Sequence, residues 1–260
     1  MIFARRRCLR DNYVYLLAEG ADSALVDPGD AAAALALAAE HGARPRFVLH
    51  THGHADHAGG TAELRRRLGA RAYGHAGDAA WYPPEVDVSR GGPLRLGAME
   101  VRVHPAPGHT PGSVLYEWRG RLLTGDTLFR GGSGNCKNGG DPARLAGTFL
   151  GVLAGLDGGL EVHPGHDYAE ANLPFDLDLE PGNAAAAAAL AEARDAHARG
   201  DEPRPFTLAE ERVLNPFLRA GSVDVRQALQ AKGIPARDAL EAFLVLRRLK
   251  DAWRGAAAAP

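Results

Sequence analysis

Residues 51–60 read Thr51-His52-Gly53-His54-Ala55-Asp56-His57-Ala58-Gly59-Gly60. Three histidines and one aspartate fall within six consecutive positions of this segment. An apolar run over 46–51 predicts a buried strand before the cluster, and a helix over 61–68, capped by Thr61 and stopped by Gly69, is predicted after it. The cluster is therefore expected on a loop at a strand end, where open α/β sheets place their functional sites.

The residue types in this cluster indicate metal binding. Neutral imidazole and carboxylate groups are common ligands of zinc and of other first-row divalent ions. His52 and His54, two residues apart in an extended loop, can point the same way, whereas Asp56 and His57 follow after the chain turns. One ion cannot easily take all four groups from so short a segment, but two adjacent ions can. The alternatives are a polar surface loop and a single structural zinc.

Composition and charge restrict the class of protein. The chain has 260 residues and a hydrophobic content of 45%, which suits one large domain or a domain with a smaller second one. Its net charge of −2 provides no positive field that would attract nucleic acid. No apolar run reaches the roughly 18 residues of a membrane span. The two cysteines, Cys8 and Cys136, are too few for a disulfide framework, which is typical of a reducing compartment. We therefore expect a cytoplasmic protein without a nucleic-acid or membrane partner.

Further histidine and aspartate side chains follow other predicted strands. An alternating strand over 99–104 leads to His109, a hairpin over 113–124 ends beside Asp126, and a strand over 160–163 leads to His166. With the first cluster, four separate strand ends have side chains that can ligate a metal. Helices are predicted between the strands, including one over 31–41 capped by Asp30 and one over 141–153. The pattern predicts two β-rich halves with interspersed helices.

The character of the sequence changes after Tyr168. Helices are predicted over 183–199, from a capping box that begins at Thr207, over 223–232 and over 235–253. The chain is therefore expected to consist of a mixed domain over 1–169, which contains the predicted metal ligands, and an all-helical domain over 170–260.

Taken together, these motifs resemble a known superfamily. Over residues 1–168 the chain resembles the metallo-β-lactamase superfamily, in the motif His52-x-His54-x-Asp56-His57 followed by His109, Asp126 and His166. The tail is similar to glyoxalase II, the hydroxyacylglutathione hydrolases, in the motifs Gly165-His166-Asp167-Tyr168, Asn172-Leu173, Asn215-Pro216-Phe217-Leu218-Arg219 and Arg247-Arg248-Leu249-Lys250-Asp251. The resemblance implies an α+β fold: an αββα sandwich of two mixed sheets with helices outside, followed by a small all-helical domain.

The resemblance also implies a centre of two divalent metal ions. The first ion would be held by His52, His54 and His109, the second by Asp56, His57 and His166, and Asp126 would bridge them. Zinc is the favoured metal, and iron and manganese are alternatives that suit the same nitrogen and oxygen ligands. Asp27 and Thr51, at adjoining strand ends, are expected either to orient these ligands or to be ordinary turn residues.

The reaction that the resemblance implies is hydrolysis of the thioester of a glutathione-type thiol. S-lactoylglutathione would give a hydroxy acid and a free thiol. Two neighbouring ions can lower the pKa of a shared water to about 7, and a metal stabilises the developing oxyanion. A thiol with a pKa of about 8.5 leaves without a dedicated acid. The predicted catalytic residues are His54, Asp126 and Asp56, the last also as a proton acceptor.

Five residues are predicted to bind the substrate. In the family, basic and tyrosine side chains hold the glycine carboxylate of the thiol, and the matching positions here are Tyr168, Arg247 and Lys250. Where the family has Lys-x-Tyr, this chain has Asn135 and, two residues later, Lys137. Either Lys137 reaches the same carboxylate from a shifted loop, or the pocket accepts a different thiol. A solvated basic face is the alternative for Arg247 and Lys250.

Two other classes remain open at this point. A persulfide dioxygenase would use one iron held by His52, His109 and Asp126, and a non-catalytic protein would use the metal only for stability. The presence of Asp56, His57 and His166 as well favours two metals. The expected partner is a small-molecule thioester, and the chain is expected to be a monomer or a small homo-oligomer.

Overall fold

The computed structural model describes residues 1–255, and its framework is a pair of six-stranded sheets. The first sheet contains six strands in chain order: β1 Ile2–Cys8, β2 Asn12–Glu19, β3 Asp22–Val26, β4 Phe47–Leu49, β5 Arg71–Gly74 and β6 Val86–Asp87. The remaining strands are β7 Gly92–Leu96, β8 Met99–Pro105, β9 Val114–Trp118, β10 Arg121–Gly125, β11 Leu128–Phe129, β12 Gly132–Ser133, β13 Glu161–Pro164 and β14 Phe206–Thr207. The second sheet has the order β14-β13-β10-β9-β8-β7, and β11 and β12 form a separate hairpin. Both sheets mix parallel and antiparallel neighbours.

The helices lie outside the two sheets. They are α1 Ala31–Glu40, α2 Ala55–Ala58, α3 Thr61–Leu68, α4 Pro142–Gly147, α5 Ala169–Leu179, α6 Ala184–Ala198, α7 Leu208–Leu214, α8 Val223–Ala231 and α9 Ala239–Ala252. A 3₁₀ turn covers Ala76–Asp78, and a π-helical stretch, Thr148–Leu153, continues α4. Within residues 1–255, no helix is both long and apolar enough to cross a lipid bilayer.

Strand β2 shows why the first sheet is covered on both faces. Tyr13, Tyr15 and Leu17 face the core between the two sheets, whereas Val14 and Leu16 face a second core under α1 and α3. Because successive side chains of a strand point to opposite faces, this uninterrupted apolar run needs a packed layer on each side. Strand β8 instead begins with alternating buried and exposed residues, as predicted.

The outer face of the second sheet packs against the C-terminal region. Leu115 and Leu122 of the sheet share one core with Phe149, Phe217 and Phe243, and all five are fully buried. Burying an apolar side chain of this size contributes roughly 1.5–3 kcal/mol. The predicted αββα sandwich with a helical C-terminal region is confirmed, and the tail shares its core with the sandwich.

The predicted all-helical tail is wrong in one respect. Phe206 and Thr207 pair with Val162 and Glu161, so the tail adds the edge strand β14 to the second sheet. A strand of two residues is too short for its periodicity to be read from sequence. Residues 256–260, which the predicted second domain includes, lie outside the described residues.

Helix termini follow the predicted capping residues with two exceptions. The Asp30 cap of α1 and the capping box that begins at Thr207 are confirmed. The last helix begins at Ala239 rather than 235, because the Asp238 side chain accepts a hydrogen bond from the backbone and caps it there. Thr61 is the first residue of α3 and not its cap, and its hydroxyl lies 2.7 Å from a ring nitrogen of His50.

Candidate metal centre

The residues predicted to hold metal ions meet at one end of the sandwich. They follow β4, β8, β10 and β13, and they form three overlapping groups of potential ligand atoms: His52, His54 and His109; His52, His57 and Asp126; Asp56, His57 and His166. The parallel pairs β3–β4 and β10–β13 bring the carboxyl ends of their strands to this edge. Asp56 and His57 lie on the short helix α2 rather than on a loop, and the His57 ring lies beside that of His52, with centroids 4.0 Å apart.

Three histidine nitrogens face one another in the first group. His54 Nδ1 lies 3.1 Å from His52 Nε2 and 3.2 Å from His109 Nε2. The other ring nitrogen of each residue faces an oxygen atom. This atom belongs to the Thr51 hydroxyl for His52, to the Asn138 carbonyl for His54 and to the Asn135 carbonyl for His109. A carbonyl only accepts, and the Thr51 hydroxyl donates its own hydrogen elsewhere, so each ring has its proton on the outer nitrogen. Three lone pairs therefore converge, which favours a bound cation.

Burial keeps two of these imidazoles in the neutral form. His52 is 2% exposed and His109 is 4% exposed. Burial and the neighbouring histidines lower the pKa of His52 well below its ordinary value, and burial lowers the pKa of His109. Neutral imidazole is the form that binds a metal ion.

The second group combines carboxylates with buried imidazoles. His57 Nε2 lies 3.5 Å from Asp56 Oδ2 and 3.3 Å from Asp126 Oδ1, and His166 Nε2 lies 3.4 and 3.5 Å from the same two oxygens. Although burial alone would lower the pKa of His57, Asp126 and Asp27 raise it well above its ordinary value. The group thus stabilises positive charge at a point where a buried cation would lie.

Asp126 lies between the two groups. Its Oδ1 faces His57, and its Oδ2 lies 3.6 Å from His109 Nε2. Burial would raise the pKa of this carboxyl, but the neighbouring His57 lowers it to about 2, so the group is ionised at neutral pH. Among the described residues, His57 Nε2 and Asp126 Oδ1 are buried without a hydrogen-bond partner. Two inward-facing orphaned atoms are the arrangement expected of a site that needs a cation.

Glycine 165 keeps space open between these two side chains. A Cβ at this position would lie 2.5 Å from Asp126 Oδ1 and 2.6 Å from His57 Cε1. Any larger residue at position 165 would therefore displace the side chains of Asp126 and His57. The backbone of Gly165 also pairs with both sheets, since its N–H donates to Gly125 and its carbonyl accepts from Tyr13.

The structure adds residues that sequence reasoning missed. Asp11 Oδ1 accepts a hydrogen bond from His166 Nδ1 at 2.8 Å, and Asn12 Nδ2 donates to Asp56 Oδ2 at 2.9 Å. Asp78 is 2% exposed, and its carboxylate accepts from the Gly53 N–H between His52 and His54. The polar residues at positions 11 and 12 lie where β1 turns into β2, which is only a weak sequence signal for a functional site. Nothing in the sequence around position 78 indicates that Asp78 contacts the loop of His52 and His54.

A cavity of about 530 Å³ opens over the metal-ligand groups. It is lined by His54, Ala55, Asp56, Trp81, His109, Asp126, Asn135, Asn138, His166 and Tyr168. A larger groove of about 860 Å³ lies in the tail between α5, α6 and α8, but it shares no lining residue with this cavity. We therefore regard the smaller cavity as the candidate active site.

The five residues predicted to bind substrate line a second cavity, of about 280 Å³. They are Asn135, Lys137, Tyr168, Arg247 and Lys250. Asn135 and Tyr168 also line the metal cavity, so the two spaces adjoin. The Tyr168 ring stacks on His166, with centroids 4.8 Å apart and planes at 8°.

The three basic residues of this cavity differ in their burial and in the partners that their side chains contact. Lys137 is exposed, and its Nζ lies 3.9 Å from Asp251 Oδ1. Lys250 donates to the Ala171 carbonyl at 2.6 Å. Arg247 is 4% exposed and donates to the Ser133 and Gly134 carbonyls, so neither it nor Lys250 belongs to a solvated basic face. Direct contact of these residues with a substrate stays a prediction.

Comparisons with known proteins agree with this geometry. The family described as the metallo-beta-lactamase superfamily matches residues 9–166, and the family described as hydroxyacylglutathione hydrolase C-terminus matches residues 167–253. The chain belongs to the metallo-β-lactamase superfamily.

Relatives narrow the assignment within that superfamily. The chain is 63% identical over 254 residues to the hydroxyacylglutathione hydrolase of Anaeromyxobacter dehalogenans, covering 96% of this chain and 99% of the relative. It is a member of the hydroxyacylglutathione hydrolase family, as the motifs of the tail predicted.

Solved structures share the fold at lower sequence identity. ETHE1 from Myxococcus xanthus is 26% identical, with a TM-score of 0.66 over 96% of this chain and 100% of that one. TTHA1623, solved in a di-iron-bound form, is 27% identical, with a TM-score of 0.60 over 84% of this chain and 100% of that one.

Proposed function

We propose that this protein is a metal-dependent hydrolase that cleaves a 2-hydroxyacyl thioester of a glutathione-type thiol, such as S-lactoylglutathione, to a hydroxy acid and a free thiol. The observation that supports it most directly is the pair of ligand groups joined by Asp126 beside a cavity lined by basic and tyrosine side chains. The relative that is 63% identical is named for this activity.

We propose that His52, His54 and His109 hold one ion and that Asp56, His57 and His166 hold another, with Asp126 contacting both. Two divalent ions bound there would activate a water molecule and polarise the thioester carbonyl. The mixed nitrogen and oxygen ligands suit zinc first, with iron and manganese as alternatives. The di-iron form of TTHA1623 supports a two-metal site in this fold.

Asp56 is proposed to accept a proton in this reaction, for which its carboxyl must be ionised. Burial would raise the pKa of its carboxyl, but hydrogen bonding to His166 and Asn12 lowers it below the ordinary range. The carboxylate is thus ionised at neutral pH, and it lines the metal cavity beside Asp126. His54 would contribute to catalysis as a ligand of the first ion, since its Nδ1 faces the ring nitrogens of His52 and His109.

The thiol portion of the substrate is proposed to occupy the 280 Å³ cavity. Tyr168, Arg247, Lys250, Lys137 and Asn135 line it. Lys137 and Lys250 provide positive charge for a carboxylate, and Tyr168 links this cavity to the metals. The chain's departure from Lys-x-Tyr at Asn135 and Lys137 makes the preferred thiol the part of the proposal that most needs measurement.

The division into domains is proposed as 1–169 for catalysis and 170–260 for substrate binding. Both cysteines, Cys8 and Cys136, are free, which supports the cytoplasm as the location. A monomer or a small homo-oligomer stays the prediction for the assembly.

A mononuclear iron enzyme of the persulfide dioxygenase type is the alternative. An iron at His52, His109 and Asp126 would leave the buried His57 Nε2 without a partner among the described residues. Metal content and oxygen uptake of the purified protein distinguish the two functions, since the hydrolase needs no oxygen.

The direct test is His54→Ala. Because His54 Nδ1 lies between the nitrogens of His52 and His109, we expect its removal to abolish thioesterase activity and to lower the bound metal, measured by elemental analysis. His104→Ala is the control. His104 belongs to neither ligand group, and its Nε2 lies 2.8 Å from Glu117 Oε2. A His54→Ala variant that hydrolyses S-lactoylglutathione at the normal rate would rule out the proposed function.

A further inference from the structure

Trp81 stands at the metal cavity without a part in the reaction described above. It is 42% exposed, and its ring is nearly perpendicular to that of His54, with centroids 5.2 Å apart and planes at 82°. It lines the metal cavity but not the adjoining cavity that contains Lys137, Arg247 and Lys250. The indole therefore belongs to a part of the metal cavity that the adjoining cavity does not share.

The backbone that bears Trp81 is tied to both histidine loops of the first group. Trp81 N donates to the Asp78 carbonyl at 2.9 Å. The buried Asp78 carboxylate accepts from Gly53 N at 2.8 Å, from Thr110 Oγ1 at 2.7 Å and from Gly112 N at 2.7 Å. Since these donors lie beside His52, His54 and His109 in the chain, the segment is held in a defined position relative to the metal ligands.

The six-membered ring of the indole packs on a glycine of the loop that follows β12. A Cβ at Gly139 would lie 2.6 Å from Trp81 Cη2. Only a glycine permits this approach, so the indole is confined between His54 and the loop. A confined aromatic side chain binds a ligand at lower entropic cost than a freely rotating one.

The two adjoining cavities orient a thioester. With the thiol portion beside Tyr168 and the reacting carbonyl at the ligand groups, the acyl substituent extends into the remaining part of the 530 Å³ cavity. That part is lined by Ala55, Trp81 and Asn138. Of these three, Trp81 presents the largest apolar surface.

We propose that Trp81 selects the acyl group, so that the enzyme favours 2-hydroxyacyl thioesters with a flat apolar substituent, such as phenyl, over those with a methyl group. This inference rests on the proposed function and specifies its substrate class. A phenyl ring can pack against the indole face or edge, and an aromatic pair gains stabilisation beyond that of the buried area alone. A methyl group reaches little of that surface.

The test compares two glutathione thioesters, those of lactic acid and of 2-hydroxy-2-phenylacetic acid, on metal-loaded enzyme. Trp81→Ala should lower the ratio of kcat/KM for the phenyl substrate to that for the lactoyl substrate about tenfold, mainly through KM. Trp81→Phe should restore most of the ratio. Because the ratio is taken on one preparation, partial loss of folded or metal-loaded protein cancels.

Trp253→Ala is the matched control, because Trp253 lines the adjoining cavity instead. It should change kcat/KM for both substrates by the same factor. If Trp81→Ala leaves the ratio unchanged, the acyl assignment is wrong while the proposed function stands. If the wild-type enzyme hydrolyses neither thioester, both are overturned.

Discussion

Each of the five histidines in the metal centre is oriented by an oxygen on the side away from the centre. The oxygen atoms belong to Thr51 for His52, Asn138 for His54, Asp27 for His57, Asn135 for His109 and Asp11 for His166. An outer oxygen fixes the proton of a neutral ring on the outer nitrogen and turns the inner lone pair towards the interior of the group, where a metal ion would bind. The three backbone or hydroxyl partners add no charge to the first group, whereas the two carboxylate partners add negative charge beside the second group and help to raise the pKa of His57 and of His166.

Asp27→Asn should weaken binding at the second group. Asp27 Oδ2 accepts from Thr51 Oγ1 at 2.6 Å and from His57 Nδ1 at 3.0 Å, and Oδ1 accepts from Thr51 N at 2.7 Å. An amide has only one oxygen, so it cannot accept all three bonds. We expect the affinity for one of two metal ions to fall about 10–100-fold, measured by competition with a chelator. Asp30→Asn is the control, since asparagine caps α1 equally well. Unchanged affinity would mean that packing alone holds His57.

The β11–β12 hairpin connects the metal centre to the tail. It follows Asp126 and precedes Asn135, whose carbonyl orients His109. The tail holds this hairpin through side chains of four residues: Asn172 to the Arg130 carbonyl, Glu211 to the Gly131 N–H, Asn215 to the Gly132 carbonyl, and Arg247 to the Ser133 and Gly134 carbonyls. Three of these residues belong to motifs that first indicated the family, so the structure gives them a role in holding the loop that positions His109.

Glu211→Gln should change how stability depends on pH. Burial raises the pKa of Glu211 to about 7 from its ordinary 4.5. Between these values the unfolded chain has lost the proton that the folded state retains, so the free energy of unfolding falls as pH rises from about 4.5 to 7. The variant should lack this fall, which is worth about 3 kcal/mol, as measured by urea unfolding from pH 5 to 8.

The neighbouring Glu210 provides the opposite case for this measurement. Its hydrogen bond with Arg204 lowers the pKa of Glu210 to about 2. Stability from this group is present above pH 4.5 and is lost as pH falls through 2, so Glu210→Gln should leave the slope between pH 5 and 8 unchanged. Parallel slopes for Glu211→Gln and the wild type would contradict the assignment.

The proposed substrate site is formed by both parts of the molecule. The 280 Å³ cavity combines Phe129 and Asn135 of the sandwich with Asn172, Lys250 and Trp253 of the tail. Because the tail also shares a core with the second sheet, its helices hold the cavity wall in a fixed position. The site therefore requires the tail for its shape as well as for its charge.

Lys250→Ala should raise KM more than it lowers kcat. The ammonium lies over the rings of Phe175 and Trp253, at 5.3 and 4.8 Å from their centroids, and it is remote from the ligand groups. Loss of a remote contact weakens binding of ground state and transition state alike, so a several-fold rise in KM is expected. Steady-state kinetics with S-lactoylglutathione measures it.

The same charge can be removed by pH. Burial lowers the pKa of Lys250 to about 8, so the wild-type KM should rise above pH 8 towards that of Lys250→Ala. Lys232→Ala is the control, because Lys232 pairs with Asp178 at 3.1 Å beside the larger groove. An equal KM in wild type and Lys250→Ala would mean that the lysine serves only the Ala171 carbonyl.

The sequence alone predicted the features that depend on short spacings. The motif from His52 to His57 indicated metal ligands because imidazole and carboxylate chemistry is local to the residue. Caps such as Asp30 and the box at Thr207 were also predictable, since a cap and its helix are a few residues apart. The family resemblance then supplied the sandwich and the order of the distant ligands.

Only the tertiary structure could bring in partners from distant parts of the chain. Asp11, Asn12 and Asp78 reach the metal centre through strand pairing and a 3₁₀ turn, and no local pattern encodes such contacts. Burial also separates Arg247 from the solvated basic face that its helix position allowed. The sequence predicts a charged side chain there, but not the Ser133 and Gly134 carbonyls to which it donates. Residue type determines which chemistry is available, and long-range packing determines which atoms meet, because contact between distant segments depends on the whole core rather than on either segment.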